Sequence, residues 1–424
     1  MPAIQEEIRQ PEPFSGYEIF IVALLAFLQF TIVLDFMILS PLGALLMPAL
    51  KITPSQFGIV VSVYAFSAGL SGFLAAGFAD RFDRKNLLLF FYTGFVLGTL
   101  MCGLVNTFEL LVAARILTGL FGGVIGSIVF AIITDVFPFE KRGRVMGIVQ
   151  TAFSASQILG LPAGLYFSNL WGWQAPFHLI VAISVLVGIA IVIYLKPVNE
   201  HLKLQTGGSA VKHLFATITQ PQYTLAFATT ALLSIGAFMM MPFGSTFMVN
   251  NLGINMEHLP SVYMITGICS ILVGPMVGRA CDMFGSFRIF LFGTVVTAIM
   301  TTIYVNLGVT PLAVVILVNV LLFVGINSRV IPSQTLMSAI PSPSSRGAFM
   351  AVSSSLQQVA GGFASILAGL IVVEGPNGVL KHFDVLGYIM IGMSFLTLFM
   401  MWAIFKSVAS RSKSMTESAM ASGQ

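Results

Sequence analysis

Long apolar runs alternate with short polar breaks along the whole chain. A helix needs about 20 apolar residues to cross a bilayer. Twelve such runs occur, near residues 17–42, 55–78, 87–106, 108–134, 145–168, 174–195, 222–250, 259–280, 288–306, 311–339, 347–372 and 384–406. The breaks are short, so consecutive spans are expected to be antiparallel neighbours. The runs are continuous and do not alternate every second residue, which argues against the strands of a membrane barrel. The first run is too long for the core of a signal peptide, and Glu6, Glu7 and Glu12 outnumber Arg9 ahead of it, so it reads as the first span.

Composition agrees with this pattern. Charged residues are 8% of the 424, against roughly 25% in soluble domains. Hydrophobic residues reach 57%, and there are three cysteines, which excludes soluble, disordered and disulfide-scaffold classes. In such a chain the net charge of +4 reports orientation and not a nucleic-acid partner. With both termini placed in the cytoplasm, sixteen of the 20 Lys and Arg fall on the inner side and two, Lys51 and Lys381, on the outer side. The remaining two, Arg115 and Arg329, lie inside apolar runs. This bias predicts twelve spans with both ends inside.

The chain also repeats itself. The longest polar interruption, 196–221, separates a six-span half at 17–195 from a second at 222–406, with short cytoplasmic tails at 1–16 and 407–424. At an offset of about 202 residues, Asp35-Phe36-Met37 and Pro41 align with Ala237-Phe238-Met239 and Pro242. Asp80-Arg81-Phe82 aligns with Asp282-Met283-Phe284, and Arg142-Gly143 with Arg346-Gly347. Three matches in one order at equivalent places indicate duplication. The expected fold is an all-α membrane protein of two six-helix halves related by a pseudo-two-fold axis, a design that places a substrate site between the halves.

The loop Ala76-Gly77-Phe78-Ala79-Asp80-Arg81-Phe82-Asp83-Arg84-Lys85 resembles the G-x-L-x-D-R-x-G-R-K loop of the major facilitator superfamily. Ala76 and Asp83 replace its two glycines, whereas the second-half copy keeps Gly278 and Gly285. Span 4 carries Arg115 four residues before Gly119, similar to the superfamily's pattern. Leu34-Asp35-Phe36-Met37 with Pro48 is similar to the acidic span-1 motif of proton-coupled drug antiporters. The antiporter run expected in span 5 appears as Gly160-Leu161-Pro162-Ala163-Gly164, its proline displaced by one. The resemblance covers essentially the whole chain. It implies alternating access driven by a proton gradient, with no cofactor, in a monomer of a bacterial cytoplasmic membrane whose partners are a small-molecule substrate and membrane lipid.

Ionisable groups inside the membrane are the most informative residues, because each costs at least ~2.5–3.5 kcal/mol at mid-bilayer and so needs a partner or a cavity. Asp35 is the one deep carboxylate, ~27 Å of helical rise from the inner end of span 1. Arg115 lies ~12 Å in from the outer end of span 4. An Asp35–Arg115 pair is therefore expected. Burial and a neighbouring guanidinium act in opposite directions on a carboxylate's proton affinity, so the pair is read either as the proton-coupling site or as a permanent strut. Arg329, near Asn327 and Ser328, is read either as a substrate ligand or as a side chain snorkelling to the inner interface. Gln29, Phe36, Phe238, Met241 and Gln357 are the other substrate-binding candidates. Asp80, Arg81, Arg84, Arg142, Asp282 and Arg346 are gating candidates: the resemblance implies loops that latch the outward-facing state. His178, alone on span 6, is read as a hydrogen-bonded structural residue.

The function expected is proton-coupled antiport exporting a small amphipathic compound, drug-like or sugar-like. An uptake symporter or facilitator and a lipid or lysolipid carrier are the alternatives. An enzyme is not expected, since no cluster of nucleophile, base or metal ligands is evident.

Overall fold

The computed structural model describes residues 13–75, 78–199, 202, 217–341 and 346–422. All twelve spans are present as long apolar helices. The first half comprises Gly16–Leu50, Pro54–Ala75, Arg84–Leu104, Phe108–Val136, Phe139–Ala155 continuing through a π-turn (Ser156–Gly160) into Leu161–Trp171, and Ala175–Tyr194. The second comprises Pro221–Met240 continuing through a 3-10 turn (Met241–Phe243) into Gly244–Asn250, then Leu259–Phe284, Ser286–Val305, Leu312–Ser338, Arg346–Ile371 and Phe383–Ser422. These are spans 1 to 12. Most of the 196–221 interruption and most of the 1–16 tail lie outside the described residues.

Two helices run past the expected ends of their spans. Span 1 continues beyond 42 to Leu50, where Lys51 turns left-handed (φ 53°) and donates its N–H to the carbonyls of Met47 and Pro48. Span 12 continues beyond 406 to Ser422 through a polar, serine-rich segment. Hydropathy alone does not mark where a helix stops; in span 1 the left-handed cap at Lys51 does. Span 1 starts at a capping box in which Ser15 and Glu18 bond each other's backbone. Span 7 breaks at Pro242, which has no N–H to give. An unpredicted hairpin, β1 (Val373–Glu374) against β2 (Leu380–Lys381), joins spans 11 and 12. Asn250 and Asn251 at the end of span 7 donate to its Gly378 and Leu380 carbonyls.

Cross-links identify the two faces. On the terminal face the Lys196 N–H bonds the Tyr17 hydroxyl (3.0 Å), the Arg84 N–H bonds the Val198 carbonyl, and Lys141 pairs with Glu18 (3.1 Å). The opposite face carries Lys51, the hairpin and the Gln174–Asn106 bond.

The apolar core is shared on one face only. Its largest cluster joins the halves near the opposite face, with Leu46, Phe57 and Phe177 from the first and Phe243, Phe247 and Leu386 from the second. Nearer the terminal face the clusters separate. One contains Leu25, Phe95 and Ile132, the other Tyr223, Phe290 and Phe349, and on this side the halves still meet through Phe73 and where Gly69 and Gly72 of span 2 pack on Val359 and Ser355 of span 11. Span 8 records the same parting. A Cβ on Gly267 would stand 2.8 Å from Ile158 of span 5, but Gly274 and Gly278, two and three turns nearer the terminal face, look onto open space. The halves are thus joined at the opposite face and along spans 2 and 11, and the cleft between them opens past spans 5 and 8 toward the terminal face.

Candidate functional site

The expected pair is formed. Arg115 Nη1 donates to Asp35 Oδ2 at 2.9 Å and lies 3.4 Å from the Asp35 carbonyl. The Thr99 hydroxyl of span 3 donates to Asp35 Oδ1 at 3.1 Å. The guanidinium carbon stands 4.3 Å above the Tyr64 ring of span 2. Asp35 is 0% exposed and Arg115 1%. Spans 1 to 4 therefore converge on one ion pair shut off from water on every side. Close packing makes this possible. Gly98 of span 3 receives the Thr118 side chain, and Gly119 of span 4 fits against the Tyr64 carbonyl. Small residues allow such approach between helices in lipid.

Beside the pair, Phe36 forms the floor of the cleft. Its ring lies 5.8 Å from Phe238 of span 7 and 5.4 Å from Tyr64. Gly361 of span 11 lets Phe238 in, since a Cβ there would meet the ring at 3.0 Å. Met241 is half-buried at the break in span 7. Gln29 is half-buried two turns from Phe36 on the same side of span 1. Gln357 and Ser354 are exposed on the face of span 11 that carries Gly361, opposite the exposed Phe363, Leu367 and Leu370. Phe36, Phe238, Gln29 and Gln357 are thus brought to one cleft.

Arg329 stands apart. It is 6% exposed, donates to the Thr397 hydroxyl of span 12 at 3.1 Å, and lies 5.7 Å over the Phe290 ring of span 9. It neither lines the cleft nor reaches the terminal interface, because Gly293 admits the span-10 backbone close to span 9 and the guanidinium is enclosed there. His178 is exposed and, with Phe167, Trp171 and Asn106, lines a groove of about 520 Å³ on the first half.

The gating candidates divide. Arg84 is buried and joins spans 3 and 4, donating to Asp135 at 3.1 Å and to the Ala79 carbonyl at 3.0 Å. Arg142 donates to the Thr134 and Phe137 carbonyls and so caps span 4. Arg81 and Asp282 are exposed. The side chains of Asp80 and Arg346 lie outside the described residues. Arg84→Met should cost about 1.5–3 kcal/mol, the worth of a charge-assisted bond, read as a lower thermal midpoint in detergent. An unchanged midpoint would contradict this linkage.

Sequence reasoning missed Thr99, Tyr64, Asp135 and Thr397. A threonine or tyrosine in an apolar run carries no signal of its own. Asp135 was visible as an acid at a helix end, and its distance from Arg84 in sequence concealed the pairing.

The chain matches the sequence profile of the Major Facilitator Superfamily across residues 25–331. YceJ of Bacillus subtilis, an MFS-type transporter, is 26% identical over 269 residues, 62% of this chain and 67% of its own length. Multidrug resistance protein 3 of the same organism is 34% identical over 125 residues, 30% of this chain and 24% of its own. The "Probable sugar efflux transporter" of Pasteurella multocida is 26% identical over 238 residues, 56% of this chain and 57% of its own. The matches thus span between about a quarter and two thirds of these relatives' lengths. A D-xylose-proton symporter superposes with a TM-score of 0.74 at 17% identity, covering 91% of this chain and 98% of that one. The nucleoside transporter NupG gives 0.71 at 16% identity, covering 92% and 100%. At such identities the superpositions speak to fold alone.

Proposed function

The chain belongs to the Major Facilitator Superfamily, and from that premise we propose that it is a proton-coupled antiporter exporting a small amphipathic solute, with Asp35 as the coupling carboxylate. The observation that carries this reading is the sealed Asp35–Arg115 pair, one residue from the cleft floor at Phe36. A carboxylate that ferries protons across a membrane must be closed to at least one side in every state. Asp35 Oδ2, which Arg115 now holds, is the atom where the proton binds, so proton and guanidinium compete for one oxygen.

The cycle follows from that competition. The positive-charge bias supports a cytoplasmic terminal face, and with that orientation the cleft in this state opens where an exported solute loads. Rocking of the halves opens the opposite face, and an accompanying shift of span 1 against span 4 within the first half frees Asp35 to take a proton from outside. Return restores the Arg115 contact, which displaces the proton inward. The similarity to multidrug and sugar efflux proteins supports export. Asp35 has no counterpart acid in span 7, where Ala237 stands, so coupling rests on the first half.

The test uses proteoliposomes with a pH-sensitive dye in the lumen and a ligand identified by a thermal-stability screen. Downhill movement of that ligand is expected to drive protons in the opposite direction. Protons moving with the ligand, or not at all, would overturn the proposal.

A further inference from the structure

Three charged side chains lie deep in the described spans, and all three are turned away from the cleft. Asp35 and Arg115 hold each other, and Arg329 is enclosed by Thr397 and Phe290. The side chains that face the opening are of another kind. Span 1 offers Gln29 and span 11 offers Gln357 and Ser354. Span 5 offers Gln150, exposed two turns below the half-buried Gln157, and it is Gln157 and Ile158 that close against Gly267 of span 8. The floor is the Phe36–Phe238 ring pair.

We infer that the cleft is built for an uncharged cargo that presents hydroxyl or amide groups to these glutamines and one flat apolar face to Phe36 and Phe238. This rests on the transport reading above and adds the chemistry of what is carried. A primary amide both donates and accepts hydrogen bonds. Four of them around a cleft satisfy a neutral polyhydroxylated molecule without a counter-ion. An ion entering the same cleft loses hydration and finds no opposite charge on these walls, and an unpaired charge in a weakly polar site is strongly disfavoured. Arg329 adds to the discrimination. It is the one deep charge without a carboxylate beside it among the described residues, and its field opposes a cation, while its enclosure denies an anion direct contact.

Three probes of one shape separate the cases: the β-glucosides of 4-(hydroxymethyl)phenol, 4-(aminomethyl)phenol and 4-hydroxybenzoic acid, which are neutral, cationic and anionic at pH 7. Binding to the purified full chain is measured by thermal shift and by calorimetry. The neutral probe is expected to bind at least about tenfold more tightly than either ion, a difference of about 1.4 kcal/mol. A charged probe binding as tightly as the neutral one would overturn the inference. Gln357→Glu supplies the missing charge on the wall. It should raise affinity for the cationic probe by about tenfold and leave the folded yield unchanged. No gain for the cation would remove Gln357 from the wall and overturn the inference as well. Binding by none of the three would overturn the cargo chemistry alone, since the proton-flux experiment judges antiport with an independently found ligand.

Discussion

Arg115→Leu should destabilise the protein by about 3–5 kcal/mol, the cost of leaving one partner of a buried ion pair unmatched. The basis is the completeness of the burial. Asp35 is 0% exposed, and once the guanidinium is gone it keeps only the Thr99 hydroxyl. No water reaches the site to replace the lost partner. The loss is expected to be non-additive. Replacing both residues, Asp35→Asn with Arg115→Leu, removes the stranded charge and should recover much of the stability, as contacting pairs do in double-mutant cycles. Thermal unfolding in a single detergent measures all three variants. A double variant as unstable as the sum of the singles would show that the two residues do not act as a unit.

Gly369→Leu should hold the protein open on the opposite face. A Cβ on Gly369 would stand 2.8 Å from the Pro54 carbonyl and 3.2 Å from the Gly58 Cα. On the other side, a Cβ on Gly58 would stand 2.6 Å from the Ser365 carbonyl. These are backbone atoms of helices 2 and 11 and cannot rotate aside, so the two helices have to part. Spin labels at Lys51 and Glu374, both exposed on that face, in a background lacking the three free cysteines, report the separation. The distance should lengthen and cargo-driven proton flux should fall. A distance distribution equal to that of the parent would mean that the seal does not depend on this contact.

Much of the architecture was legible before the structure, because lipid is an exacting solvent. Backbone groups must be satisfied within each helix, so every span appears as a long, predominantly apolar run. The scarcity of charge had a second benefit: with so few ionisable residues in the spans, Asp35 and Arg115 singled each other out. What the sequence left obscure depends on side-chain direction. Arg329 read equally as a substrate ligand or as a snorkelling side chain until its contacts with spans 9 and 12 were known. Span 5 is the most instructive case. Its proline sits one residue away from the antiporter run, and the helix contains a π-turn at Ser156–Gly160 just ahead of it. A turn closed by i→i+5 bonds takes up one extra residue. Gly160 and Gly164 still meet Leu34 and Ile38 of span 1 at matching four-residue spacing. The displaced proline is thus absorbed by local geometry, with Ser156 bonded to the Phe30 carbonyl of span 1 at the same place.

The pair and the cleft together define how the machine is expected to divide its labour. The first half carries the titratable group, next to the floor on which cargo rests, and the second half supplies Phe238 and the amide and hydroxyl groups of span 11. Coupling then depends on whether the state of Asp35 and the presence of cargo are felt through Phe36, whose ring lies against both the Tyr64 ring beside Arg115 and Phe238.

The most direct test of the account is gradient-driven accumulation in Asp35→Asn. Asparagine keeps an oxygen for Arg115 and Thr99 but cannot carry a proton. In proteoliposomes with an imposed pH gradient, the parent should concentrate its ligand against the ligand's own gradient. Asp35→Asn should lose that accumulation and retain downhill exchange. Accumulation in Asp35→Asn equal to that of the parent would contradict the central claim.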